Sequence, residues 1–133
     1  MAITYETNGV LWNTGDATDV IAALGSEVSD NYTFSATCVQ ADIQLKATNS
    51  GTPLTGDTID FYARLVGNLG TDNTGDFLTT IDTFEDAGST AIWIKSMKFY
   101  PLPGDVYQFK AESNVAATRT ITVAIAIKEM LVA

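Results

Sequence analysis

The chain contains no histidine and one cysteine. These two absences exclude more chemistry than any motif asserts. Without imidazole there is no Ser-His-Asp triad and no Cys-His pair. The usual zinc sites, built from His and Cys, lack their ligands. Cys38 has no second cysteine to pair with, and a thiolate there would lack its customary basic neighbour. It lies in the run Tyr32-Thr33-Phe34-Ser35-Ala36-Thr37-Cys38, on the parity of Tyr32, Phe34 and Ala36, and reads as a small buried hydrophobe. No glycine-rich loop runs into Lys-Ser/Thr, so there is no phosphate cradle. Among sixteen acidic residues some pair always lies close, which is no mark of a glycosidase. The sequence reads as a non-enzyme that needs no cofactor.

Basic residues are also scarce. Seven Lys and Arg against sixteen Asp and Glu leave a net charge of −9, and the seven are scattered. Nucleic-acid binding requires clustered cations, and anionic membrane surfaces select for the same feature. Neither partner is expected. The charge suits solubility, or docking onto a basic surface of another protein. No apolar stretch approaches the roughly 20 residues needed to span a bilayer. The segment Met1-Ala2-Ile3-Thr4-Tyr5-Glu6 has neither the basic region nor the apolar core of a signal peptide, so synthesis in the cytoplasm is the expectation.

What the chain has in abundance is alternation. In Arg119-Thr120-Ile121-Thr122-Val123-Ala124-Ile125-Ala126-Ile127, branched residues occupy every second position, with only Thr or Ala between them. A period of two marks a strand with one buried face. Similar runs cover residues 31–38, 41–48, 57–66, 77–84, 90–100, 106–113 and 118–128. In the second, Ile43, Leu45 and Ala47 point one way and Asp42, Gln44, Lys46 and Thr48 the other. Residues 17–24 fit a short helix ending at Gly25 or a strand, with the β-like surroundings favouring the strand. Over 90–100 the pattern changes phase: Ile92 and Ile94 share one parity, Met97 and Phe99 the other, which predicts a β-bulge near Lys95-Ser96. Runs 106–113 and 118–128 read as a final pair. Eight or nine strands at this spacing predict an all-β antiparallel sandwich, an eight-stranded jelly roll first and an immunoglobulin-like sandwich second. Residues 14–133 form the single domain. Residues 1–13 read as an extended N-terminal arm, an edge strand, or a short hairpin turning at Asn8-Gly9.

Three constellations invite a functional reading. Trp12, Trp93, Tyr62, Tyr100 and Tyr107 could form a sugar-stacking platform, or fill the sandwich and an oligomer interface. Asp72-Asn73-Thr74-Gly75-Asp76 offers oxygen ligands for calcium through Asp72, Asn73 and Asp76, but misses EF-hand spacing and suits a plain turn. The arm carries Ile3, Tyr5, Val10, Leu11 and Trp12, and the chain ends on Met130-Leu131-Val132-Ala133; exposed apolar tails usually have a partner. The interface candidates are Ile3, Tyr5, Leu11, Trp12, Leu69, Trp93 and Tyr100.

The run Asp57-Thr58-Ile59-Asp60-Phe61-Tyr62-Ala63-Arg64-Leu65 and the ending Val115-Ala116-Ala117-Thr118-Arg119-Thr120-Ile121-Thr122-Val123, in a short acidic chain, resemble the small jelly-roll cement and decoration proteins of tailed-phage capsids. The resemblance implies a structural virion protein, a homo-oligomeric trimer or dimer, located on the capsid surface. It would bind the major capsid protein at capsomer junctions and brace the shell. It implies no catalytic residue. The arm and loop 67–76 are the expected contacts, so deletion of residues 1–12 should abolish shell binding and leave the β fold intact. A carbohydrate-binding sandwich of a phage tail or other assembly is the alternative.

Overall fold

Alternation becomes two sheets in a computed structural model, which describes residues 2–12, 15–51, 56–66, 76–82, 92–115 and 119–132, the side chains of Asp76 and Asp82 excepted. The described residues form strands β1 (Ile3–Gly9), β2 (Asp19–Ile21), β3 (Ser26–Val28), β4 (Tyr32–Thr33), β5 (Cys38–Asn49), β6 (Thr58–Leu65), β7 (Asp76–Asp82), β8 (Ile92–Phe99), β9 (Val106–Ser113) and β10 (Ile121–Val132), with no helix among them. One sheet runs β1-β10-β5-β8, with β2 also pairing β10; the other runs β3-β9-β6-β7, with β4 also pairing β9. Every pairing is antiparallel. β1 and β2 share one edge of β10, and β3 and β4 share one edge of β9. Eight strand positions therefore lie in two four-position sheets, the jelly-roll arrangement.

The inward rows interlock as the period of two requires. Ile43, Leu45 and Ala47 of β5 and Ile121, Val123, Ile125 and Ile127 of β10 face Ile59, Phe61 and Ala63 of β6 and Phe109 and Ala111 of β9, all buried. One end of the sandwich is closed by aromatics. Phe34 stacks on Phe99 at 5.8 Å between ring centroids and meets Tyr32 and Tyr107 edge-on at 5.0 and 5.6 Å. These spacings fall in the favourable range for ring pairs. The other end is tied by Arg119, whose Nη2 donates to Asp57 Oδ1 at 2.7 Å.

Several expectations need correction. β8 pairs with β5 in unbroken register from Ala41↔Phe99 to Thr48↔Ile92, so no bulge interrupts Lys95-Ser96. Its inner row is Trp93, Met97 and Phe99, and Ile92 and Ile94 point to solvent. The register shifts occur elsewhere, where β10 Met130/Leu131 meets β5 and where β6 Phe61/Tyr62 meets β7. Asn8-Gly9 makes no hairpin turn, because both residues belong to β1 and pair with Ile127 and Ala126. The last two strands do not pair with each other: β9 and β10 lie in opposite sheets. Beyond β1, Val10 and Trp12 are fully buried. Deleting residues 1–12 would therefore remove core side chains, not an appendage alone.

Candidate binding face

The site is built by alternate residues of four strands. Directly opposed residues of an antiparallel pair share a face. The register therefore sets Tyr5 beside Met130, Thr7 beside Lys128 and Gly9 beside Ala126 on the outward face. Across β10 and β5, Lys128 is level with Asp42, Ala126 with Gln44, Ala124 with Lys46 and Thr122 with Thr48. On β8 the same rows end in Lys98, Ser96, Ile94 and Ile92. Val20 of β2 extends the last row beside Thr122.

This face divides into two zones. Toward Val20, Ile92 and Ile94 it is apolar at its margins, with those three side chains exposed around Thr48, Thr122, Ala124 and the exposed Lys46. Toward the chain termini it is polar and hollowed. A depression of about 210 Å³ is lined by Thr7, Asp42, Gln44, Ser96, Ala126 and Lys128. A second, of about 200 Å³, is lined by Tyr5, Gln40, Ala41, Asp42, Lys98, Lys128 and Met130. Asp42 and Lys128 line both, so the two depressions adjoin along the row Thr7, Lys128, Asp42 and Lys98 and together make a shallow groove divided by that row. Its floor is low because Gly9 and Ala126 carry little or no side chain where neighbouring rows carry long ones.

Charge on the face is opposite to that of the chain. Among the described residues of the face, Lys46, Lys98 and Lys128 stand against Asp42, a local +2 (three minus one) in a chain of net −9. Lys98 Nζ donates to Asp42 Oδ1 at 2.6 Å, and this bond raises the ammonium's pKa. Lys128 Nζ instead sits 4.9 Å from the centroid of the Tyr5 ring, a cation–π contact. No carboxylate forms an ion pair with it among the described residues. Tyr5 itself is 61% exposed.

The sequence-derived candidates are dispersed. Trp12 and Trp93 lie inside the sandwich, at 0% and 4% exposure, which leaves neither indole for a partner or a sugar. Tyr107 packs in the aromatic end cluster. Tyr62 lies on the outward side of the other sheet beside Phe77, at 5.7 Å, with Lys110 Nζ 5.8 Å from its centroid. The five proposed platform aromatics therefore form no row. Ile3, Tyr5, Leu11 and Tyr100 are exposed, and Ile3 and Tyr5 share the outward face of β1. Leu69, Asp72 and Asn73 lie outside the described residues, and only the backbone of Asp76 is described. Among the described residues, no three His, Cys, Asp or Glu side chains could hold a metal ion. Cys38 is buried, and burial together with the Glu129 carboxylate pushes its thiol pKa up, away from the reactive thiolate. Lys46, Lys98, Lys128, Asp42 and Gln44 are not brought together by any local pattern in the sequence. Their shared outward parity is visible strand by strand, but their juxtaposition depends on pairing between distant segments.

No family model and no curated protein sequence matches the chain. Among solved structures it is similar to the C-terminal CBM6 of LamC, a laminarinase from Zobellia galactanivorans, with TM-score 0.52 and 11% identity over 95% of this chain and 98% of that one. It is similar to latent dimeric PorU of Porphyromonas gingivalis, with TM-score 0.56 and 7% identity over 97% of this chain, which spans 13% of PorU. VP2 of infectious bursal disease virus has TM-score 0.49 and 11% identity, with 97% of this chain and 32% of VP2 covered. The likenesses to the LamC CBM6 and to PorU show the fold alone: a two-sheet antiparallel β-sandwich.

Proposed function

We propose that the chain is a non-catalytic structural subunit of a protein assembly, and specifically a cement or decoration protein of a tailed-phage capsid. It would act on the virion surface as a homo-oligomer, bound to the major capsid protein. The observation that carries this reading is the apolar zone of the outward face. Ile92 and Ile94 are 44% and 57% exposed although β8 already sends Trp93 to the core. A strand with apolar side chains on both faces is half buried by its own domain and half available to a second protein. Thr48, Thr122 and Ala124 beside it are small and uncharged, and Lys46, opposite Ile94, adds one ammonium within the zone. The acidic remainder of the chain suits docking on basic shell surface.

The test is mass in solution, then imaging of any larger particle that contains the chain. The wild-type protein is expected to be oligomeric and to co-sediment with its shell. The double variant I92E/I94E should keep its melting temperature and lose both properties. A monomeric wild type that ignores the shell, or a variant that still assembles, would overturn the reading.

A second reading, carbohydrate binding, is favoured by the groove at the other end of the same face. It offers an exposed aromatic ring, two side-chain amides and two hydroxyls, the mixture of flat apolar surface and hydrogen-bonding groups that sugars require. The sandwich of the LamC CBM6 has the same fold.

A further inference from the structure

We infer that the groove formed by Tyr5, Thr7, Asp42, Gln44, Ser96 and Lys128 is a site for an acidic saccharide, with Lys128 receiving a sugar carboxylate. The inference rests on the carbohydrate-binding reading and specifies its ligand.

The sign of the ligand follows from the lysines. Of the two that line the groove, Lys98 is neutralised by Asp42 at 2.6 Å, whereas Lys128 has no ion-pair partner among the described residues. Its ammonium is held at the Tyr5 ring, 4.9 Å from the centroid, at the junction of the two depressions. A neutral ligand laid over this point would strip water from a cation and return no charge. A carboxylate there meets a fixed donor, and charge-assisted hydrogen bonds are the stronger class. The surrounding groups are neutral hydrogen-bonding side chains, Thr7, Gln44 and Ser96 in one depression and Gln40 in the other. These match ring hydroxyls.

The groove also argues against other anions. It crosses the middle of a sheet whose strands β10 and β5 are paired on both sides. An acidic peptide laid over these two strands would find their backbone groups already paired and would forgo the main-chain hydrogen bonds that extended peptides make at a sheet edge. A polynucleotide would meet one unpaired ammonium here and a net charge of −9 beyond it.

The test is calorimetric titration of the full chain with oligogalacturonate, oligomannuronate and hyaluronan fragments, each beside its methyl ester, and with a hexaglutamate peptide. At least one acid form should bind, more weakly as salt is raised, and its ester should bind less well. K128Q should weaken that binding about tenfold or more, the value of one lost charge-assisted bond. K110Q, on the opposite sheet, should leave it unchanged. Y5A should weaken acid and ester alike, because it removes ring surface. If esters bind as well as acids, or K128Q matches wild type, the acidic-ligand inference fails and carbohydrate binding stands. If hexaglutamate binds as tightly as the uronates, the site is for peptides and the inference fails. If no saccharide binds, both fall.

Discussion

Tyr32 donates its phenolic hydrogen to Glu129 Oε2 at 2.6 Å, joining residues 97 positions apart and two different sheets. The other carboxylate oxygen, Oε1, accepts from the Ser35 backbone N–H at 2.8 Å. Glu129 is 3% exposed and sits on the inward row of β10, where its neighbours are aliphatic. A buried carboxylate is tolerable only when its oxygens are satisfied. Tyr32→Phe keeps the ring and its edge contact to Phe34 while removing one of these bonds. It should cost about 1–3 kcal/mol, the penalty for a buried acceptor left unpaired, read from urea unfolding midpoints. A loss within error of zero would mean that water replaces the hydroxyl and that the bond does not anchor the two sheets.

The same pair sets a pH dependence at the alkaline end. Burial, reinforced by the bond to Glu129, pushes the Tyr32 hydroxyl well above its ordinary value. The folded state then holds a proton that the unfolded chain releases near pH 10. The stabilisation is complete below about pH 10 and is lost as pH rises further, because the unfolded state then binds fewer protons. Cys38, raised in the same direction, acts in the same sense from a lower starting point. Unfolding midpoints taken from pH 8 to pH 11 should fall for the wild type, and the gap to Tyr32→Phe should narrow above pH 10. Parallel curves would show that Tyr32 does not carry the effect.

How much of this was legible depends on the range of the interaction. β5 and β10 are written plainly in the sequence, because each is buried on one face only and its residues alternate accordingly. β8 is ambiguous in the sequence for the converse reason. Ile92 and Ile94 are apolar on the solvent side, Trp93 is apolar on the core side, and a strand apolar on both faces has no unique phase. What settles it is Ala47, directly opposite Trp93 and small enough to leave room for the indole. Glu129 presents the same difficulty in reverse. An acid on an inward position looks like the end of a strand until Tyr32 and Ser35 are brought to it by the fold. The groove was invisible because its lining comes from four strands that meet only through register. The buried Trp12 reads locally as part of an arm, since nothing in its neighbourhood distinguishes a tail that packs on another subunit from one that packs on its own domain.

Arg119 and Asp57 form the buried ion pair at the opposite end of the sandwich. Their side chains are 16% and 4% exposed, with Nη2 and Oδ1 at 2.7 Å. Asn49 Nδ2 approaches the second Asp57 oxygen at 3.5 Å, and Asn49 Oδ1 accepts from the Gly51 N–H at 3.0 Å. The pair thus ties the end of β5 and the start of β10 to the start of β6. Removing one partner strands the other charge away from water. Arg119→Ala should destabilise by about 3 kcal/mol or more, whereas Lys98→Ala, which breaks the exposed pair with Asp42, should leave the unfolding midpoint nearly unchanged. Equal losses in the two unfolding curves would contradict the assignment of the first pair as buried and the second as superficial.

The N-terminus separates stability from binding in a single pair of truncations. β1 is exposed on both faces for most of its length and adds one edge to β10, so its first residues contribute ladder hydrogen bonds and little core. Past Gly9 the chain turns inward. Val10 N–H donates to the Ile125 carbonyl at 2.8 Å, and Trp12 bridges to Asp16 and Ser29 with its side chain fully buried. Loss of a buried tryptophan alone is worth about 3–5 kcal/mol, comparable to the whole stability of a modest domain. Deletion of residues 1–12 should therefore abolish cooperative unfolding and the near-ultraviolet circular dichroism of the packed aromatics. Deletion of residues 1–5 should retain both while removing Ile3 and Tyr5. A 1–12 deletion that still unfolds cooperatively would return the segment to the status of an arm and place the core of the sandwich wholly within residues 14–133.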